Sequence, residues 1–234
     1  MRDTAVLLCS GTRLTADAFD CAPAVVVRDL DSSPAAAASV LRELAATRVV
    51  LVLCKHKPSG DLVNALRRAG ASTFGIASVV AGGRGPAEVA VLVAGLVARL
   101  DALSPGDNGK PVLASNGFSR RALLQLTPVV THASVAVVDE AACVGSARCG
   151  VCAVACPERA IGVSGPRPVV DINACTACGG CVPSCPHAAL RLAGSSTAQI
   201  EAQLEQLLPA APGIVFACNS ADVQVPPGWP VVEL

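Results

Sequence analysis

Cys175-Thr176-Ala177-Cys178-Gly179-Gly180-Cys181-Val182-Pro183-Ser184-Cys185-Pro186 spaces four thiols as C-x2-C-x2-C-x3-C and closes on proline. Three sulfurs so spaced come from one tight loop, and the cysteine before proline supplies a fourth ligand to a neighbouring site. This is how a chain wraps cubane iron–sulfur clusters in pairs. Working outward towards the N-terminus, a second run appears: Cys143, Cys149, Cys152 and Cys156-Pro157. It departs from the first in having five residues instead of two between its first pair. Eight of the chain's 12 cysteines lie in these two runs, which together imply two [4Fe–4S] clusters and an electron-transfer role.

The repeat extends beyond the thiols. Cys149, Cys152 and Cys156 have counterparts 29 residues later in Cys178, Cys181 and Cys185, whereas Cys143 and Cys175 lie 32 apart. Val137-Val138-Asp139 precedes Cys143 as Val169-Val170-Asp171 precedes Cys175, and short apolar segments, 160–163 and 189–192, follow each Cys-Pro. Strand, cysteine loop, helical turn and strand, twice over, make residues 134–194 resemble a bacterial-type two-cluster ferredoxin. The resemblance implies a small α+β ferredoxin-like domain. It also implies one cluster on Cys143, Cys149, Cys152 and Cys185, and the other on Cys175, Cys178, Cys181 and Cys156. Small apolar residues of the cluster helices, Val151, Ala153, Val154, Ala155 and Val182, are expected to keep water off the metal.

The irregular spacing leaves the first site open at one position. Even spacing would put its first ligand at Ser146. Either the loop 144–148 bulges so that Cys143 reaches the cluster, or the site is serine-ligated or a three-iron centre. The repeated Asp-x3-Cys context favours Cys143.

Other uses of the cysteines fit less well. The start, Met1-Arg2-Asp3, carries no secretory signal, and the apolar stretch 5–9 is too short for one, so a cytoplasmic setting is expected. In a reducing compartment clustered cysteines serve metal more often than disulfides. Structural zinc needs only four ligands from paired C-x2-C knuckles and gives no reason for triplets closed by Cys-Pro.

Composition bounds the remaining classes. Across 234 residues, 52% are hydrophobic, yet no apolar run approaches the ~18–20 residues of a bilayer span. Aromatics are 2%, with no tyrosine, which argues against nucleic-acid binding by base stacking. Residues 195–234 hold four acids and no base, whereas residues 1–133 are mildly basic. Thiolate-bound clusters would make the central region acidic and suit it to redox protein partners of opposite charge.

The N-terminal part alternates strand and helix signals. Strands are expected at 5–9, 24–28, 48–54 and 73–77; the near-continuous Val49–Leu53 run suits a strand buried on both faces. Ser33 with Pro34 opens a helix lined by Val40, Leu41 and Leu44. Ser59 caps a second, with Leu62, Val63 and Leu66 inward and an end near Gly70. A third starts at Pro86 with Val89, Leu92, Val93, Leu96 and Leu100 as its buried stripe. The fold class is therefore α/β, an open, mainly parallel sheet. Ligands of such sheets sit at the carboxyl ends of the strands, where Cys9-Ser10-Gly11-Thr12 and Cys54-Lys55-His56-Lys57-Pro58-Ser59 fall. The second loop is a candidate anion or acidic-partner site. Cys9, Cys21 and Cys54 read as small buried hydrophobes, and His132 and His187 as structural residues.

The strand ending in Cys9-Ser10-Gly11, the strand Arg48–Cys54 and the helix running into Ala69-Gly70-Ala71 make this part similar to the N-terminal domain of the heterodisulfide reductase A subunit family. That family's flavin-binding Gly-x-Gly-x-x-Gly turn has no counterpart here, since Gly82-Gly83-Arg84-Gly85-Pro86 is spaced differently. A flavin would then belong to a partner oxidoreductase subunit.

Residues 104–109 form a loop signal, and 118–124 a short basic helix. In the tail, Ser196 and Gln199 suggest a capping box, Ile200, Leu204 and Leu207 a buried stripe, 213–218 a buried strand and 230–234 another. The stretch 214–221 resembles the opening of the delta subunit of methyl-viologen-reducing hydrogenases, with Cys218 read as a core residue.

The domains expected are 1–127, 134–194 and a helix–strand extension, 195–234. The function expected is a two-cluster electron-transfer subunit in an oxidoreductase assembly of the heterodisulfide reductase and hydrogenase-associated type, without a catalytic residue of its own. Two alternatives stand beside it. One is a self-contained enzyme of thiol or sulfur chemistry, for which Cys54 has basic neighbours. The other is a redox-responsive binding protein.

Overall fold

In the computed structural model, residues 3–12, 14–28, 30, 32–72, 74–103, 134–172, 174–217 and 223–233 are described. The expected loop at 104–109, the basic helix at 118–124, His132 and Cys218 lie outside them. The described chain divides into two compact units. One joins the residues up to 103 with those from Thr197 onward, and the other covers 134–196.

The first unit is built on four parallel strands, β1 (Thr4–Cys9), β2 (Ala24–Val27), β3 (Arg48–Leu53) and β4 (Ile76–Val80), in the order β2-β1-β3-β4. Leu7 pairs with Val25 on one side and Leu51 on the other. Every residue of β1, and all of β3 after Arg48, is buried, as expected of central strands covered on both faces. Alternation divides them cleanly. Leu7, Val49, Leu51 and Leu53 face one core with Leu41, Leu62 and Leu66. Val6, Leu8, Val50 and Val52 face the other with Val89, Val93, Val97 and Leu100.

Helix α1 (Pro34–Glu43) and α2 (Gly60–Ala69) supply the first of these cores, and α3 (Pro86–Asp101) the second. Proline at the first helical turn begins α1 and α3, where its missing N–H costs nothing. Ser33 stands at the N-cap of α1, but its side chain makes no capping bond. Ser59 does cap α2, accepting from the Leu62 amide at 3.3 Å, and Gly70 ends that helix at φ +118. The stripe of α3 is rotated from the expected one: Val97 is fully buried, whereas Leu92 and Leu96 are only partly so.

The fourth strand is displaced from 73–77 to Ile76–Val80. Phe74 and Gly75 turn instead: the Gly75 amide donates to the Ser72 carbonyl, and a Cβ at Gly75 would lie 2.9 Å from the Thr47 carbonyl oxygen. Only glycine fits that approach.

The C-terminal segment returns to this unit. Helix α6 (Thr197–Leu207, with α4 and α5 in the second unit below) packs on α3. Its buried face is Gln199, Gln203 and Leu207; Ile200 and Leu204 are only half-buried. Gln199 Nε2 donates to the Arg99 carbonyl at 3.2 Å, and Arg99 Nη1 donates to Gln203 Oε1 at 3.0 Å. Gln199 thus ties the first turn of α6 to α3. Gly95 makes the approach possible: a Cβ there would meet Leu207 Cδ2 at 3.2 Å. Strands β9 (Val215–Ala217) and β10 (Val231–Glu233) then form a parallel pair. The strand expected to be buried is not: Phe216 is 50% exposed and its neighbours are half-buried.

In the second unit β5 (Val135–Val138) pairs antiparallel with β8 (Leu190–Ala193), and β6 (Ile161–Gly162) with β7 (Val169–Val170). Two short helices, α4 (Val151–Ala155) and α5 (Cys181–Ser184), lie between. Among the described residues, no helix is long and apolar enough to cross a membrane.

Candidate metal centres

The two halves of the second unit have nearly the same backbone. Cys156 and Cys185 follow α4 and α5 at φ/ψ of −83/111 and −81/112. Their carbonyls accept from Arg159 and Ala188, which both turn through positive φ, at +52 and +49. Asp139 and Asp171 act as matched anchors. Each donates its amide across the unit, to Ala189 and Ala160 at 2.7 Å, and each carbonyl receives the amide of Cys143 or Cys175. Sequence duplication has become approximate two-fold symmetry of hydrogen bonds.

Two cavities result. One is bordered by Cys143, Cys149, Cys152 and Cys185, the other by Cys156, Cys175, Cys178 and Cys181. Three sulfurs of each come from one run and the fourth from the Cys-Pro of the other. One face of the β5–β8 pair floors both: Val138 and Leu190, opposite each other in register, line the first, and Ala136 and Leu192 the second. These aliphatic side chains give each cavity an apolar floor.

The irregular loop is accommodated locally. Gly145 adopts φ +92, where a Cβ would lie 2.9 Å from the Pro166 carbonyl oxygen. The amides of Arg148 and Cys149 both return to the Gly145 carbonyl, and Ser146 donates to Pro166. The three additional residues are taken up in this knot, and Cys143 stays on the cavity wall. Ser146 is not among the residues bordering the cavity, and its buried Oγ has no hydrogen-bond partner.

Burial pushes the Cys152 and Cys181 thiols above their ordinary value, with the neighbouring cysteines of each set adding to the rise. Such sulfurs become thiolates when a metal displaces the proton. Two sulfurs already have fixed donors: the Ala160 amide donates to Cys156 Sγ and the Ala189 amide to Cys185 Sγ, both at 3.3 Å. Among the described residues, no three of His, Cys, Asp and Glu converge as a single ion requires. In each set the four cysteines border one cavity. Four cysteine sulfurs around each cavity are the donor set of a thiolate-bound cluster.

Several residues expected to matter lie elsewhere. Val154 is 90% exposed and shields no metal, while Val151 borders the first cavity. His187, expected to be structural, is on the wall of the first cavity, and Glu158, at the matching position of the repeat, is on the wall of the second. Their place directly after each Cys-Pro was the available signal. Cys21 is half-buried against the core beside α3. Cys9 is buried and Cys54 only half-buried, with their sulfurs 3.0 Å apart.

No curated protein matches the chain. A family model described as the 4Fe-4S binding domain matches residues 168–191, which run from β7 through Cys175, Cys178, Cys181 and Cys185 into β8. A 4Fe–4S binding domain is therefore present in this part of the chain, and with it an iron–sulfur site of electron-transfer type.

Proposed function

We propose that the protein is an electron carrier holding two [4Fe–4S] clusters. One would be held by Cys143, Cys149, Cys152 and Cys185, the other by Cys175, Cys178, Cys181 and Cys156. The observation that supports this reading is the crossed lining of the two cavities, three sulfurs from each run with a fourth from the other. When bound, such clusters supply reversible one-electron transfer. The chain's own residues hold the sulfurs, keep water away through Val138, Ala136, Leu190 and Leu192, and direct the Ala160 and Ala189 amides at Cys156 and Cys185. Amide donors and local charge set the potential of a thiolate-bound centre.

The setting proposed is a cytoplasmic oxidoreductase assembly of the heterodisulfide reductase and hydrogenase-associated type, with redox protein partners that include a flavin-containing subunit. The sequence resemblances of the strand ending in Cys9 and of the stretch 214–221 are what support that placement. Purification without oxygen tests the carrier reading: iron and acid-labile sulfide should each approach about eight per chain. Cys178→Ser should remove about half of both and stop electron throughput. Full iron and undiminished transfer in that variant would overturn the ligand set.

A further inference from the structure

The sheet order β2-β1-β3-β4 has its reversal between β1 and β3: the chain runs from β1 to β2 on one side, then crosses back to β3 and β4 on the other. In open parallel sheets that reversal opens a crevice at the carboxyl ends of the two strands, where ligands bind. Cys9 is the last residue of β1, and Cys54 is the first after β3. Their sulfurs stand 3.0 Å apart, within hydrogen-bond reach and not joined as a disulfide. Gly11 covers them, with a Cβ there falling 2.7 Å from Cys54 Sγ and 3.9 Å from Cys9 Sγ. Gly82, just after β4, lies over the Cys54 carbonyl, where a Cβ would be 2.8 Å from the oxygen. Backbone at Gly11 thus approaches the two sulfurs closely, and backbone at Gly82 approaches the main chain of Cys54. Cys9 is 8% exposed, Cys54 is more open, and the following Lys55, His56 and Lys57 are exposed.

We propose that Cys9 and Cys54 are a redox-active dithiol that exchanges with small anionic disulfides at this crevice. The more open sulfur attacks first. Cys54 Sγ, as thiolate, bonds to one sulfur of an external disulfide RS–SR; the RS–SR bond breaks, and RS⁻ leaves and takes a proton from solvent. Cys9, its proton passing to solvent, then attacks Cys54 Sγ; the Cys54–SR bond breaks and the second RS⁻ leaves, again to be protonated. Two protein thiols are oxidised to one disulfide, and one external disulfide is reduced to two thiols. Lys55 and Lys57 supply the positive charge that favours an anionic partner. This site lies in the α/β unit and does not depend on the clusters.

The holoprotein, kept free of oxygen, would be equilibrated with mixtures of oxidised and reduced glutathione, quenched with acid, alkylated and digested with trypsin. The peptides 3–13 and 49–55 carry Cys9 and Cys54 separately, so a bond between them is read directly by mass. They should become linked as the mixture becomes more oxidising. Cys9→Ser should leave glutathione on Cys54, and Cys54→Ser should leave Cys9 unmodified. Independent alkylation of both cysteines in every mixture, or linkage of Cys54 to Cys21 instead, would overturn the pairing; this wild-type measurement needs no variant to fold. For selectivity, oxidised glutathione should react at least several-fold faster than cystamine, a cationic disulfide, and added salt should narrow the gap. Equal rates would overturn the anionic preference.

Discussion

Cys156 and Cys185, 29 positions apart in the sequence, repeat one another to within a few degrees of backbone torsion, and each sulfur accepts the amide four residues on at 3.3 Å. Each of these cysteines borders the cavity of the opposite run, so a lesion in one run should appear in the site of the other. Cys185→Ala is expected to remove about four irons per chain and to abolish the centre of Cys149 and Cys152, with Cys156→Ala doing the reverse. Paramagnetic spectra of the two reduced variants should differ and should together account for the wild-type signal. Loss of the same centre in both would contradict the crossing.

The knot around Gly145 gives a second prediction, which separates Cys143 from Ser146. Ser146→Ala removes an unpartnered buried hydroxyl and should leave iron content unchanged and stability the same or slightly higher. Gly145→Ala forces a side chain into φ +92 against the Pro166 carbonyl. It should weaken or empty the first site while the second retains its iron. Iron and sulfide analysis of the two proteins is sufficient.

The matched positions Glu158 and His187 make the two cavities electrically unequal. A carboxylate near a cluster disfavours adding an electron, so Glu158→Gln should raise the potential of the centre bordered by Cys175 and leave the other nearly unmoved. Potentiometric titration followed by paramagnetic resonance reads both at once.

Burial raises the Cys152 and Cys181 thiols above the ordinary 9.0. For cluster-free protein the sign follows from linkage. As pH climbs past that value the unfolded chain loses these protons first, so the folded form is progressively disfavoured until its own thiols ionise. Thermal midpoints of the apoprotein should be flat from pH 7 to 8 and fall above about pH 9. The fall should be shallower when both residues are alanine.

Docking of the C-terminal helix is tested at Gly95. Gly95→Val drives a branched side chain into Leu207, already 3.2 Å from a bare Cβ, and should cost about 1–3 kcal/mol. Ser59→Ala, which removes the cap of α2, should cost about 1 kcal/mol. Denaturant titrations give both values.

The cysteine runs were legible because metal ligation demands one residue type at fixed spacing, and β1, β3 and the proline-started helices because burial on both faces leaves unbroken apolar runs. The failures also have physical causes. Thr73 and Phe74 have strand propensity, but the near-contact at Gly75 imposes a turn and delays β4 to Ile76. The buried face of the last helix was missed because Gln199 and Gln203 look like surface residues until Arg99 supplies their partners. Cys9 and Cys54 are 45 positions apart, and nothing in either neighbourhood announces the other. Only the strand order, which places β3 beside β1, brings them together.

Arg99 and Gln203 are separated by 104 positions, and the cysteine-bearing unit is strung between them. During synthesis the four-stranded sheet and its three helices leave the ribosome well before the segment that covers Gly95. The outer side of α3 therefore stays bare while the metal-binding part is being made. Closing so long a loop carries an entropic penalty that grows with its free length. A compact, metal-loaded insert shortens that length, so the last helix should seat more readily on chains whose iron is already in place.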